Sequence, residues 1–107
     1  MDNLEKHITI NNLLDHYHPL LTEKQKTIMT YYFVDNYTLQ EIADLQAITR
    51  NAVHDHIRKT IDKLYDLENK MKLMHKNEQR RTLVEKIRNH TDDTKIATLL
   101  NALEKVE

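Results

Sequence analysis

TLQEIADLQAITRNAVHDHIRKTIDKL, residues 38–64, reads as a short helix, a tight turn and a longer second helix. Thr38 with Glu41 makes a capping-box pair before Leu39, Ile42 and Ala43. The turn falls at Ala47-Ile48, and Thr49 is placed to cap the second helix. Two helices crossing steeply need small residues where they touch, and Ala43 and Ala52 supply them. Ile42, Ile48 and Val53 make the small core between them. Arg50, Asn51, His54, Asp55 and Arg58 then project from the outer face, with Lys59 beside them. Arg can donate two bonds to guanine and Asn can pair with adenine in a major groove. The stretch is therefore a helix-turn-helix. Its formal charge nonetheless sums to zero, which is unusual for a phosphate binder.

Outward from this stretch the same logic divides the rest of the chain. Ile10, Leu13, Leu14 and Tyr17 share one helical face that stops at Pro19. Thr22 and Gln25 form a second capping box, and Ile28, Met29, Tyr32 and Phe33 come next on a helical face. This helix ends at Asp35-Asn36, where Asn takes the left-handed C-cap in a chain without Gly. Among the aromatic residues, Tyr31 and Tyr37 fall outside the apolar face and are the surface candidates for base stacking. After the motif, Ile57, Leu64 and Met71 recur every seven residues, as do Thr60, Leu67 and Met74, with Ile61 widening the stripe. This seam predicts one long helix that packs within the chain or pairs with a second copy as a homodimer. The polar run HKNEQRRT, residues 75–82, predicts a solvated segment or kink, with a fifth helix around Leu83, Val84 and Ile87. Thr91-Asp92 is placed to cap a last helix carrying Ile96, Leu99, Leu100 and Leu103.

Composition limits the chemistry. The chain has 107 residues and a formal net charge of −1, with no Gly, Cys or Ser and a single Pro. So few breakers predict an all-α single domain over 1–107, with a helix-turn-helix core at 22–65 and a helical extension at 66–107. Hairpins rely on Gly-containing turns, so no wing is expected. Lacking Cys and Ser, the chain offers no thiolate or serine nucleophile; lacking Gly, it offers no phosphate-cradling loop. An enzyme is disfavoured and no cofactor is implied. The seven His include the pairs His16/His18 and His54/His56, whose spacing of two points the rings to different sides of a helix. No metal site is expected from them. No apolar run approaches a membrane span, and the expected location is cytoplasmic.

Charge is uneven along the chain. Residues 66–91 sum to +3, whereas 1–37 and 92–107 each sum to −2. The basic segment Lys70, Lys72, Lys76, Arg80, Arg81, Lys86 and Arg88 can be a stripe for RNA phosphates, an anchor for an acidic protein, or a solvated face laced with Glu68, Glu78 and Glu85.

TLQEIADLQAITRNAV resembles the helix-turn-helix of the fourth region of sigma factors. LLDHYHPLLTEKQ before it, then AVHDHIRKT, NEQRR and the ending LEKVE, resemble the YlxM family in order and spacing over nearly the full length. A turn of this kind often carries Gly where Ala47 stands. Gln46 sits where an apolar residue usually closes the core, and Leu45 can rotate in to replace it. The resemblance implies a regulatory helix-turn-helix protein. Genes of that family lie beside those of the signal recognition particle GTPases, which implies a part in that pathway. Two functions are then open. In the first, DNA or RNA is bound through Thr49, Arg50, Asn51, His54, Arg58 and Lys59. In the second, the chain docks as a protein-interaction module on the particle's GTPase or RNA.

Overall fold

The computed structural model describes residues 3–106, all of its regular structure is helical, and the chain forms two compact units, Met1–Lys72 and Leu73–Glu107. The helix-turn-helix core read at 22–65 lies within the first of these units.

In the first unit, α1 (Asn3–Tyr17) buries Ile10, Leu13, Leu14 and Tyr17, as their spacing predicts. A 3₁₀ turn, His18–Leu20, contains Pro19 and ends the helix. The Thr22 hydroxyl accepts from the Gln25 amide at 3.2 Å while Gln25 Oε1 accepts from the Thr22 amide at 2.9 Å, and this box opens α2 (Glu23–Met29). α2 then widens into a π turn over Thr30–Val34, which the apolar period did not foretell. The Tyr37 amide reaches back to the Tyr31 carbonyl at 2.9 Å, and Asn36, at φ 59°, takes the left-handed position. Ile28, Met29 and Phe33 are buried, and Tyr32 is half-buried.

The second box holds the start of α3 (Leu39–Gln46), with both Thr38–Glu41 bonds at 3.1 Å. α3 closes at Ala47, φ 54° and ψ 42°, whose amide donates to the Ala43 carbonyl; the Ile48 amide donates to the same oxygen at 3.1 Å. A left-handed alanine costs about 1–2 kcal/mol, so this turn is made without Gly at an energetic penalty. Leu45 does not rotate inward: it is 56% exposed. Ile42, Ala43 and Val53 are buried and close the junction instead, with Gln46 and Ile48 half-buried.

Thr49 Oγ1 accepts from the Ala52 amide at 3.0 Å and starts α4 (Arg50–Met71). Its 22 residues span about 33 Å at the standard rise. Val53, Ile57, Thr60 and Leu64 face the interior. The buried Thr60 hydroxyl is satisfied by the His56 carbonyl at 2.7 Å, and the buried Tyr17 hydroxyl donates to Glu68 Oε1 at 2.5 Å. That bond ties the end of α1 to the last turns of α4.

The expected seam does not run on through one helix. Ile57 and Leu64 are core within this unit, Ile61 and Leu67 are half-buried, and Met71 is exposed. α4 stops at Lys72, which is left-handed at φ 56°, and Met74 belongs to the next helix. A left-handed residue ends the helix, so the heptad register ends there.

In the second unit, α5 (Leu73–Asn89) contains the whole polar run 75–82, which is helical and largely exposed, and the fifth helix begins ten residues before Leu83. α6 (Thr94–Glu104) is capped by Asp93, whose Oδ1 accepts from the Lys95 amide at 2.8 Å, rather than by Thr91 or Asp92. The Thr91 hydroxyl instead accepts from the Asp93 amide at 3.1 Å and shapes the turn. Val84 and Leu100 are the buried apolar residues of this unit. Arg88 adds a polar tie from α5 to Asn101 and Glu104 on α6, at 2.8 and 2.5 Å.

Candidate nucleic-acid interface

The outer face of α4 begins at its cap. With Thr49 at the N-cap, Arg50 and Asn51 occupy the first turn and His54 comes one turn on; all four are exposed. Val53 and Ile57, buried on the opposite side, fix the rotation of the helix. Neither Arg50 nor His54 has an ion-pair partner among the described residues. The positive end of the helix dipole and the open amides of the first turn favour an anion at the same place.

The cations farther along α4 are in a different state. Asp55 accepts from Arg58 Nη2 at 2.8 Å on one oxygen and from Lys59 Nζ at 3.0 Å on the other. The Arg58 and Lys59 hydrogen bonds hold the Asp55 carboxyl below its ordinary value, and the bond from Asp55 raises that of Arg58. The cations of the neutral stretch are thus not all in the same state. Arg50 and His54 are unpaired, while Arg58 and Lys59 share one carboxylate. Charge counting alone missed this. The signal was present in the sequence, because Asp55 lies three and four residues before the two cations and so faces them on a helix.

The basic segment does not act as one set. Lys70 is paired with Asp66 at 2.9 Å, and Arg88 is committed to α6. Lys72, Lys76, Arg80, Arg81 and Lys86 are exposed with no ion pair among the described residues. Lys70 and Lys72 fall in the first unit and the others in the second. Tyr31 and Tyr37 stack on each other, with centroids 5.0 Å apart and planes 7° from parallel. Each ring therefore has one face occupied by its neighbour.

Among the described residues no group of His, Asp or Glu is placed to hold a metal ion, and no helix is long and apolar enough to cross a membrane. A feature that the linear reading missed lies beside α4. A cleft of about 500 Å³ is bounded by Lys6 and His7 of α1, Tyr32 and Phe33 of the π turn, and His54, Arg58 and Asp62 of α4. Only the tertiary fold brings α1 and the π turn to this face.

Residues 4–103 match the family described as "Putative helix-turn-helix protein, YlxM / p13 like". A UPF0122 protein of Shouchella clausii is 46% identical over 85 residues, covering 79% of this chain and 78% of that protein. A UPF0122 protein of Geobacillus kaustophilus is 37% identical over 109 aligned positions, covering 97% and 99%. The UPF0122 protein YlxM of Bacillus subtilis is 37% identical over 109 positions, covering 98% and 99%. With a capped helix-turn-helix at its centre and a family match over nearly its whole length, the chain belongs to the UPF0122 family of YlxM/p13-like helix-turn-helix proteins.

Proposed function

We propose that this is a non-enzymatic, cytoplasmic, nucleic-acid-binding regulatory protein that takes part in the signal recognition particle pathway. The observation that carries the binding reading is the first turn of α4. Arg50, Asn51 and His54 stand exposed on one helix end, and the cation among them is not neutralised by any neighbouring carboxylate. Arg and Asn there have the donor and acceptor patterns that read base edges, and the helix end attracts phosphate. The pathway assignment rests on the resemblance to the YlxM family. A homodimer belongs to the same reading. α4 of one copy offers few free cations, and two copies double the phosphate contacts.

A gel-shift series at low and moderate salt tests the assignment. Arg50→Ala with Asn51→Ala lowers affinity for DNA or RNA at least about tenfold, as expected when a base-reading pair worth ~1–3 kcal/mol is removed. Unchanged binding by that variant overturns the role of this face.

A second reading is favoured by the second unit, where Leu83, Leu99 and Val106 are each more than half exposed. Such apolar exposure suits a protein contact, and the particle's GTPase or RNA is then the docking partner. Pull-down of the GTPase subunit without RNA, abolished by Leu99→Asp, supports this reading over the first.

A further inference from the structure

The cleft beside α4 combines two chemistries that the helix face alone lacks. One is aromatic. The His7 ring lies 4.9 Å from Phe33 and 6.1 Å from Tyr32, and Tyr32 meets Phe33 edge-on at 4.9 Å. Phe33 is buried and forms the floor, while His7 and Tyr32 are half-buried and line the opening. The other is polar and charged. Lys6, Arg58 and Asp62 are all exposed around the same opening. Arg58 gives Asp55 one N–H in the bond at 2.8 Å, and a guanidinium has five donors. Asp62 has no ion pair among the described residues.

We infer that this cleft binds one unstacked nucleotide of a single-stranded nucleic acid. The inference rests on the nucleic-acid reading above and deepens it. A base slides against the His7 and Tyr32 rings, its 5′ phosphate meets Lys6 and Arg58, and the Asp62 carboxylate accepts from an exocyclic amino group. Aromatic rings with adjacent cations are the general means of holding single strands, and loops with splayed bases are where RNA sequence is read. A duplex keeps its bases stacked and cannot fill the cleft. The carboxylate selects among bases: adenine, guanine and cytosine offer an amino group, and uracil does not. The same arrangement explains how a motif with a neutral charge sum gains affinity, since stacking adds to binding without adding charge.

The test is fluorescence anisotropy at low salt with labelled short poly(A), poly(C) and poly(U) strands and a blunt DNA duplex. The parent binds poly(A) and poly(C) more tightly than poly(U). His7→Leu with Tyr32→Leu keeps the apolar bulk and removes the rings; it weakens poly(A) binding about tenfold or more and leaves duplex binding within about twofold. Tyr32→Phe retains poly(A) affinity, which separates stacking from loss of fold. Equal poly(A) binding by the parent and the double Leu variant overturns the cleft, as does duplex binding by the parent with no single-strand binding. In both cases the α4 reading stands. Binding to neither nucleic acid removes both. Binding of polyglutamate as tight as that of poly(A), and insensitive to ring removal, also overturns the proposal, because charge alone then accounts for it. Displacement of poly(A) by adenosine monophosphate at equal nucleotide concentration overturns the assignment to a strand and gives the stacking site to free nucleotides. A strand that resists displacement supports nucleic acid as the ligand.

Discussion

The unit that ends at Lys72 and the unit that begins at Leu73 solve the problem of staying folded differently. Among the described residues the first buries thirteen apolar side chains, from Ile10 to Leu64, and the second buries Val84 and Leu100. The first surrounds its core with three side-chain caps, at Thr22, Thr38 and Thr49, and with the Tyr17–Glu68 bond. In the second, Asp93 caps α6 and Arg88 ties the two helices together. Apolar burial contributes about 25 cal/mol per Å², whereas a partly exposed ion pair contributes about 1 kcal/mol or less. The first unit is therefore held from inside, and the second depends far more on its surface. The first unit holds the larger apolar interior, whereas the second leaves Leu83, Leu99 and Val106 open to solvent.

The sharpest way to break this contrast is to cut a methyl-rich side chain from each interior. Leu64 is 0% exposed on α4, and Leu64→Ala is expected to destabilise the first unit by about 3 kcal/mol. Leu100 packs in a thin interior, and Leu100→Ala is expected to lose only about 1–2 kcal/mol, because the site collapses and few atoms lose contacts. Urea unfolding followed by far-ultraviolet circular dichroism, with hydrogen exchange to locate the opened helices, separates the two. Equal losses would mean that the second unit has an interior comparable with the first.

Local signals were legible in the sequence and long-range ones obscure. The boxes Thr22–Gln25 and Thr38–Glu41 and the cap at Thr49 lie within three residues of their partners, so spacing alone located three helix starts. The apolar period placed Ile10, Leu13, Leu14 and Tyr17 correctly for the same reason. Lys72 was missed because lysine carries no preference for the left-handed region, and Met71 and Met74 keep the seam's spacing across the break. The π turn was missed because Thr30–Val34 contains no breaker and one inserted residue leaves little trace in a short period. Of the candidate interface, the α4 face was readable from one helix. The cleft was not, since His7 and Tyr32 are 25 residues apart in sequence and meet only through the fold.

A smaller effect probes how much conformational cost the first unit absorbs. Ala47 sits at φ 54° where its Cβ is disfavoured. Ala47→Gly removes a penalty of about 1–2 kcal/mol and adds back ~0.4–1 kcal/mol of unfolded-state entropy. The net expectation is a stabilisation of about 0.5–1 kcal/mol, seen as a higher urea midpoint for the first unit and no change in the second. A lower midpoint would show that the Cβ of Ala47 packs favourably, and that the turn is not a site of strain.

The smallest expected effect concerns the surface charges of the first unit. Asp55→Asn removes the carboxylate that holds Arg58 and Lys59 while keeping its shape. Those two cations depress the Asp55 carboxyl below its ordinary value of 3.8 in the folded chain. A group depressed on folding contributes stability that is present above the unfolded value and lost as pH falls through the folded one. The parent is therefore slightly more stable than Asp55→Asn at neutral pH, by an amount that stays constant down to the ordinary carboxylate range. The difference then shrinks in more acid solution and vanishes below the folded value. Urea midpoints of both proteins across this range check the sign. A difference that persists in acid would trace to a contact other than the ion pair. Where the proposed nucleic-acid binding holds, the same substitution leaves Arg58 and Lys59 free for phosphate, and a steeper salt dependence of that binding is then expected beside the small loss of stability. A unit held from inside can surrender this surface pair and keep its fold, and in doing so it leaves two exposed cations without their shared carboxylate on the face that begins at Arg50.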